Sequence, residues 1–188
     1  MTTARFEGSA TSIVLAFRWI EEDQVAKRQL GVDEIMAILP ETPRRIAGAT
    51  AGVRASRLRD APAPGAWSVN DIFAHLRACH DVLGGSILRI VTEDHPAWKG
   101  INPRVWIKKT DYLDWEFAPA FERFTTQRRE LLGVLEPLPA DGWERTATVT
   151  GMVGDSYERT ARYYGDWLAR HERAHWRHIE AIVAALTG

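Results

Sequence analysis

One cysteine, four lysines and no apolar run long enough to cross a bilayer are what this 188-residue chain most obviously lacks. The single thiol, Cys79, cannot close an intramolecular disulfide, which suits a reducing compartment and leads us to expect a cytoplasmic protein. Near the N-terminus the longest apolar run is only Ile13 to Phe17. Arg18, Glu21, Glu22 and Asp23 follow it with no small-residue cleavage pattern, so no signal peptide is expected. A spanning helix requires roughly 20 apolar residues and none is present, which argues against a membrane partner. Charge of one sign is missing too: the net charge is −1 and the pI about 6.6. Without a positive field to follow phosphates, nucleic acid is excluded as the default partner. Internal repeats and low-complexity segments are absent.

What remains is ordinary globular material, 45% hydrophobic and of the length of one domain. Residues 11 to 29 place Ile13, Phe17, Ile20 and Val25 at helical spacing. Residues 33 to 51 do the same with Ile35, Ile38, Leu39 and Ile46, but Pro40 and Pro43 must break the helix, and Thr42-Pro43 reads as a fresh N-cap and first turn. After Pro62-Ala-Pro-Gly-Ala-Trp67, Ser68 and Asp71 form a capping-box pattern, with Trp67 and Ile72 as its hydrophobic staple. The helix so started runs to about Glu93, its inward seam being Ile72, Leu76, Cys79, Leu83, Ile87 and Ile90. Residues 94 to 115 are a long connection carrying Trp98, Trp106, Tyr112 and Trp115, expected to fold over something. A third helix spans about Glu116 to Leu135 and stops at Pro137. Residues 144 to 159 read as a hairpin or extended loop around Gly151 and Gly154. The last helix, Thr160 to Leu186, repeats Tyr164, Leu168, His171, His175, Ile179, Ile182 and Leu186 at spacings of three and four. The sum is an all-α fold, an antiparallel four-helix bundle with a long aromatic-rich connection.

The candidate chemistry lies in the histidines. His171 and His175 project from one face of a helix, one turn apart, within an apolar stripe. Burying two imidazoles without partners costs about 1 to 3 kcal/mol each, so they need something to bind. His75 sits at the edge of the other helix's seam, where a core histidine bonded to a carbonyl is the plain reading. Together the three would make a facial nitrogen set with open positions, suited to a borderline divalent metal such as Zn, Ni or Fe. That requires the last helix to pack antiparallel to the helix beginning at Ser68. His80 faces another way, toward solvent or packing, and His95 before Pro96 serves a turn. His178 is a surface residue or a hydrogen-bond partner of a ligand ring. Cys79 reads as a small buried hydrophobe in preference to a ligand. Arg104, Lys108 and Lys109 could hold a substrate carboxylate. No general base stands out, and no Ser-His-Asp or Cys-His nucleophile is visible.

Two segments carry a resemblance. Trp67-Ser-Val-Asn-Asp-Ile-Phe-Ala-His75-Leu resembles the opening of the second helix in the DinB/YfiT-like family of metal-dependent proteins, and His171-Glu-Arg-Ala-His175-Trp-Arg-His178-Ile resembles that family's C-terminal histidine pair. The resemblance covers about Val32 to Leu186, dividing the chain into an N-terminal extension, 1–31, partly helical, and a bundle domain, 32–188. It implies a four-helix bundle, commonly dimeric, with a divalent metal on His75, His171 and His175. Some relatives are transferases or isomerases using a low-molecular-weight thiol of the mycothiol or bacillithiol type, acting on an electrophilic small molecule. The sequence departs from the family in carrying His178 where relatives often have Gln, and in its longer connection. A non-catalytic metal-binding or stress-associated scaffold is the alternative. Eight tryptophans on so small a core suggest apolar surface left over for a homodimer.

Overall fold

The computed structural model describes residues 28–151 and 154–187. Residues 11–27 of the helix expected over 11–29, and with them most of the 1–31 extension, lie outside the described residues, and residues 28–31 are not helical.

The first described helices are α1 (Val32–Ile38) and α2 (Glu41–Thr50). The break between them falls at Pro40, two residues before the expected Thr42-Pro43 boundary. Pro40 supplies the cap and Pro43 sits in the first turn, where its missing N–H costs nothing. Thr42 is therefore not a cap, and its hydroxyl crosses the bundle instead. The box at Ser68 forms as expected: Ser68 Oγ accepts from Asp71 N at 3.1 Å and Asp71 Oδ2 accepts from Ser68 N at 3.0 Å. From it run α3 (Val69–Cys79), a π turn (His80–Gly84) and α4 (Gly85–Thr92). Every residue of the expected seam is buried.

The aromatic connection is built of β1 (Ala97–Lys99), α5 (Pro103–Trp106) and a 3₁₀ turn (Ile107–Lys109). It leads to α6 (Phe117–Leu135), α7 (Ala140–Trp143), the hairpin β2 (Thr146–Thr150) and β3 (Ser156–Thr160), and finally α8 (Ala161–Thr187). The hairpin pairs antiparallel with Thr146 opposite Thr160, and β1 joins β2 in parallel with Ala97 opposite Thr148. This third strand went unread because three residues are too few for alternation to show.

Four helical rods, α1–α2, α3–α4, α6 and α8, make the bundle, and the three-stranded sheet is a minor appendage at its side. Helix α8 packs against α1, α2, α3 and α4. It runs antiparallel to the α3–α4 rod: Trp67 stacks on His175, His75 meets His171, and Trp98 packs on Tyr164, so rising numbers on one face falling numbers on the other. Apolar burial divides into two clusters, one around Leu83, Ile87 and Leu168, the other around Ile72, Leu76 and Ile179. His171 and His175 lie on α8 between them.

A buried polar brace ties the rods. Arg128 of α6 and Glu172 of α8 pair with almost no exposure. Thr42 Oγ1 donates to Glu172 Oε2 at 2.8 Å, and Arg128 also contacts His80 Nδ1 at 3.3 Å and the Leu39 carbonyl at 3.4 Å. Buried charges survive only when paired and hydrogen-bonded, and here every rod supplies a member.

Candidate metal centre

His75 points from α3 and His171 and His175 from successive turns of α8 into one space. The Nε2 atoms of His75 and His171 are 3.3 Å apart and those of His171 and His175 3.2 Å apart. The His75 and His175 ring centroids are 5.1 Å apart. Trp67, fixed at the staple position, covers this side, stacked on His175 with centroids 6.2 Å apart and edge-on to His75 at 5.3 Å.

Burial pushes all three imidazoles down to about 3, helped by their mutual repulsion and by Arg104, so each is neutral near pH 7. Neutral rings meeting through Nε2 cannot all be satisfied by one another, since each contact needs a donor and the donors would crowd the centre. A cation there takes every lone pair. Two nitrogens at about 2.0 to 2.1 Å from one ion at a tetrahedral angle stand roughly 3.3 Å apart, close to the spacings found. The three residues fit a divalent transition metal in spacing, protonation and donor type.

Beside them is a cavity of about 30 Å³, walled in part by His75, His171, Cys79, Asn102, Arg104 and Trp167. The Cys79 Sγ is 3.5 Å from His75 Nε2. Burial raises its pKa well above the usual thiol value, leaving a neutral S–H beside the ring. The donor atoms of His75, Cys79 and His171 lie within 4.8 Å of one another, close enough to be compatible with a metal ion. Of the three cations singled out in the connection, only Arg104 reaches the cavity. Lys108 and Lys109 are exposed on the 3₁₀ turn.

The other histidines sit elsewhere. His80 is buried in packing, its ring 5.8 Å from Phe124 and bonded to Arg128. His95 takes a left-handed φ of 42° before Pro96 and faces Thr146 and Glu158 on the sheet. His178 is exposed. Two sets of supporting residues escaped the sequence reading. Asp81 accepts from the Tyr112 hydroxyl at 2.5 Å, Trp106 Nε1 at 3.1 Å and Gln127 Nε2 at 3.2 Å, fastening the connection to the π turn. Arg77 lies beside it, between the rings of Tyr112 and Trp115. Arg128 and Glu172 were the other set. Their signal was present: each is a charge on an otherwise apolar helical stripe.

Residues 38–179, a span that includes all three histidines, match the DinB superfamily. The chain belongs to the DinB superfamily. A solved structure of YfiT from Bacillus subtilis, described as a probable metal-dependent hydrolase with an unusual four-helix bundle topology, superposes with a TM-score of 0.67. The two are 18% identical, over 85% of this chain and 92% of that one. This likeness establishes the four-helix bundle fold for the DinB chain. A search of the curated proteins finds no match. No helix among the described residues is long and apolar enough to cross a membrane.

Proposed function

We propose that this DinB protein is a metal-dependent enzyme in which His75, His171 and His175 hold one divalent transition ion, Zn, Ni or Fe. The observation that carries the proposal is the convergence of three neutral imidazoles on one point beside a cavity. Bound there, the ion supplies Lewis acidity that favours the deprotonated form of a small thiol or a water. The chain's own part is to hold the three nitrogens on two rigid helices, to cover one side with Trp67, and to leave the Arg104 side for an electrophilic substrate. A low-molecular-weight thiol of the mycothiol or bacillithiol type is the proposed nucleophile, in line with the resemblance of the two histidine segments. YfiT's description as a metal-dependent hydrolase supports the metal and offers water as the competing nucleophile.

The second reading is a scaffold in which the ion only ties α3 to α8. The buried Cys79 thiol 3.5 Å from His75 favours it, because a fourth protein ligand there would close the site. Cobalt substitution separates the two. An open three-histidine site gives a visible spectrum without sulfur-to-metal charge transfer that changes when a small thiol is added. A closed site gives strong charge transfer that Cys79→Ser abolishes and added thiol leaves unaltered.

The homodimer belongs to the same proposal. None of the seven described tryptophans is exposed, so a dimer face would rest on other groups, with Ile101, Val105, Tyr157 and Tyr163 the large apolar side chains left exposed among the described residues. Sedimentation across a concentration range tests it, and a constant monomer mass would refute it.

A further inference from the structure

The cavity of about 30 Å³ beside the histidines is a partly open slot, and the surface it presents is almost wholly apolar. Leu83, only 1% exposed, and Pro103 give it hydrocarbon walls outright. The other wall residues carry polar atoms but turn most of them elsewhere. The Trp167 Nε1 is buried away from the slot, so the indole offers its ring. The Nε2 atoms of His75 and His171 face one another at 3.3 Å, and the His171 Nδ1 is shut in behind them. Asn102 spends its side-chain oxygen on the Arg104 backbone N–H at 2.8 Å. The Arg104 guanidinium lies over the Trp67 ring, 5.8 Å from its centroid, which leaves the methylene stem for the wall. Cys79 contributes a neutral thiol, a small hydrophobe in such a place.

A slot so lined gives a charged or hydrogen-bonding group little in exchange for the water it sheds. Water itself gains little there, because an apolar cavity with few polar partners stays dry. Hydrocarbon gains about fourfold in affinity for each methylene moved out of solvent. The volume limits the occupant to about two or three heavy atoms, the end of a metabolite and not the whole of one.

Resting on the metal-site reading above, we infer that the small molecule acted on here enters with an uncharged hydrocarbon end, seated in this slot beside His75 and His171 while its polar part stays at the mouth. Leu83, Cys79 and Trp167 then set substrate class by apolar fit, and a carboxylate or amide is refused at this end of the site.

The test uses full-length protein labelled with ¹³C at the leucine methyls, both metal-free and zinc-loaded, with cyclopropane, acetamide and acetate as probes of similar size. The Leu83 methyl resonances, assigned by their loss in Leu83→Met, are followed during titration. The expected result is a saturable shift with cyclopropane and none with acetamide or acetate. Cys79→Ile, which fills the slot, should weaken cyclopropane binding more than about tenfold. Cys79→Ala, which widens it and puts no bulk into the core, should keep that binding and admit cyclopentane, which the parent excludes. Equal responses to the three probes, a response to acetate alone, or cyclopentane binding that is the same in the parent and in Cys79→Ala would overturn the inference. Zinc stoichiometry is measured in the same samples. Failure of the wild-type protein to hold zinc counts against the metal site, while a cyclopropane shift in the metal-free protein would still uphold the apolar slot.

Discussion

The Nε2 atoms of His75 and His171 stand 3.3 Å apart although 96 residues separate them in the chain. Their approach follows from two helices running antiparallel, and on the proposed metal site it would make metal retention a joint property of both. Alanine at His75, His171 or His175 should each weaken binding more than about a hundredfold, a larger loss than removal of an outer-shell partner brings. His95→Ala and His178→Ala are suitable controls, since both side chains are exposed. His80 is unsuitable because its ring is part of the buried brace. Metal-to-protein ratios after dialysis read the outcome, and full retention by His75→Ala would dismiss the three-histidine site.

The metal-free protein should lose stability in mild acid. His75, His80, His171 and His175 are held at about 3 in the native state, chiefly by burial, whereas the unfolded chain protonates a histidine near 6.5. Between those values the unfolded state binds more protons, so stability falls as pH falls. The slope approaches about 1.4 kcal/mol per pH unit for each histidine that is charged only when unfolded. The dependence fades as pH rises past the unfolded value and is essentially gone above about pH 8. Urea midpoints from pH 7.5 to 4.5 measure it, and a flat profile would show that the imidazoles are not buried as described.

Breaking the Arg128–Glu172 pair on one side should cost about 3 to 5 kcal/mol, because the remaining charge has no water to turn to. Arg128→Met and Glu172→Leu together should recover much of that loss. Denaturant unfolding of the two single variants and the double variant gives the coupling. Additive losses would mean that the pair is not closed in solution.

Asp81→Ala should release the connection, since three donors lose one acceptor. Trypsin cutting at the exposed Lys108 and Lys109 is the readout, with cleavage faster in the variant than in the parent. Tyr112, pushed up to about 12 by burial and then by its bond to Asp81, should ionise at lower pH in the variant. Unchanged cleavage with unchanged tyrosine titration would place the anchor elsewhere.

The elements that the sequence announced were those set by local chemistry. The Ser68–Asp71 box, the six-residue seam of the α3–α4 rod and the histidine pair on α8 are all legible from spacing and capping alone. Long-range pairings were not. Nothing local to Asp81 tells that it will gather donors from residues 106, 112 and 127, and nothing in Ala97–Lys99 tells that it will pair with β2. Thr42 was misread as a cap because a hydroxyl before proline has that local meaning, while a buried carboxylate on another helix claimed it.

Two ends of the aromatic connection are fastened independently. β1 is hydrogen-bonded into the sheet that leads straight into α8, and Trp106 and Tyr112 are held by Asp81 on the π turn. Arg104 lies between these anchors. The wall of the cavity is thus a strap tied at both ends, and lifting it would mean breaking a strand ladder and a half-buried hydrogen-bonded cluster together. Ligand traffic must then pass through rotamer changes of side chains such as Arg104, fast on the scale of turnover, while the strap stays shut. Residence time at the site would be governed by how strongly the ligand is held, and mutations that loosen the strap would alter exchange rates before they altered equilibrium affinity.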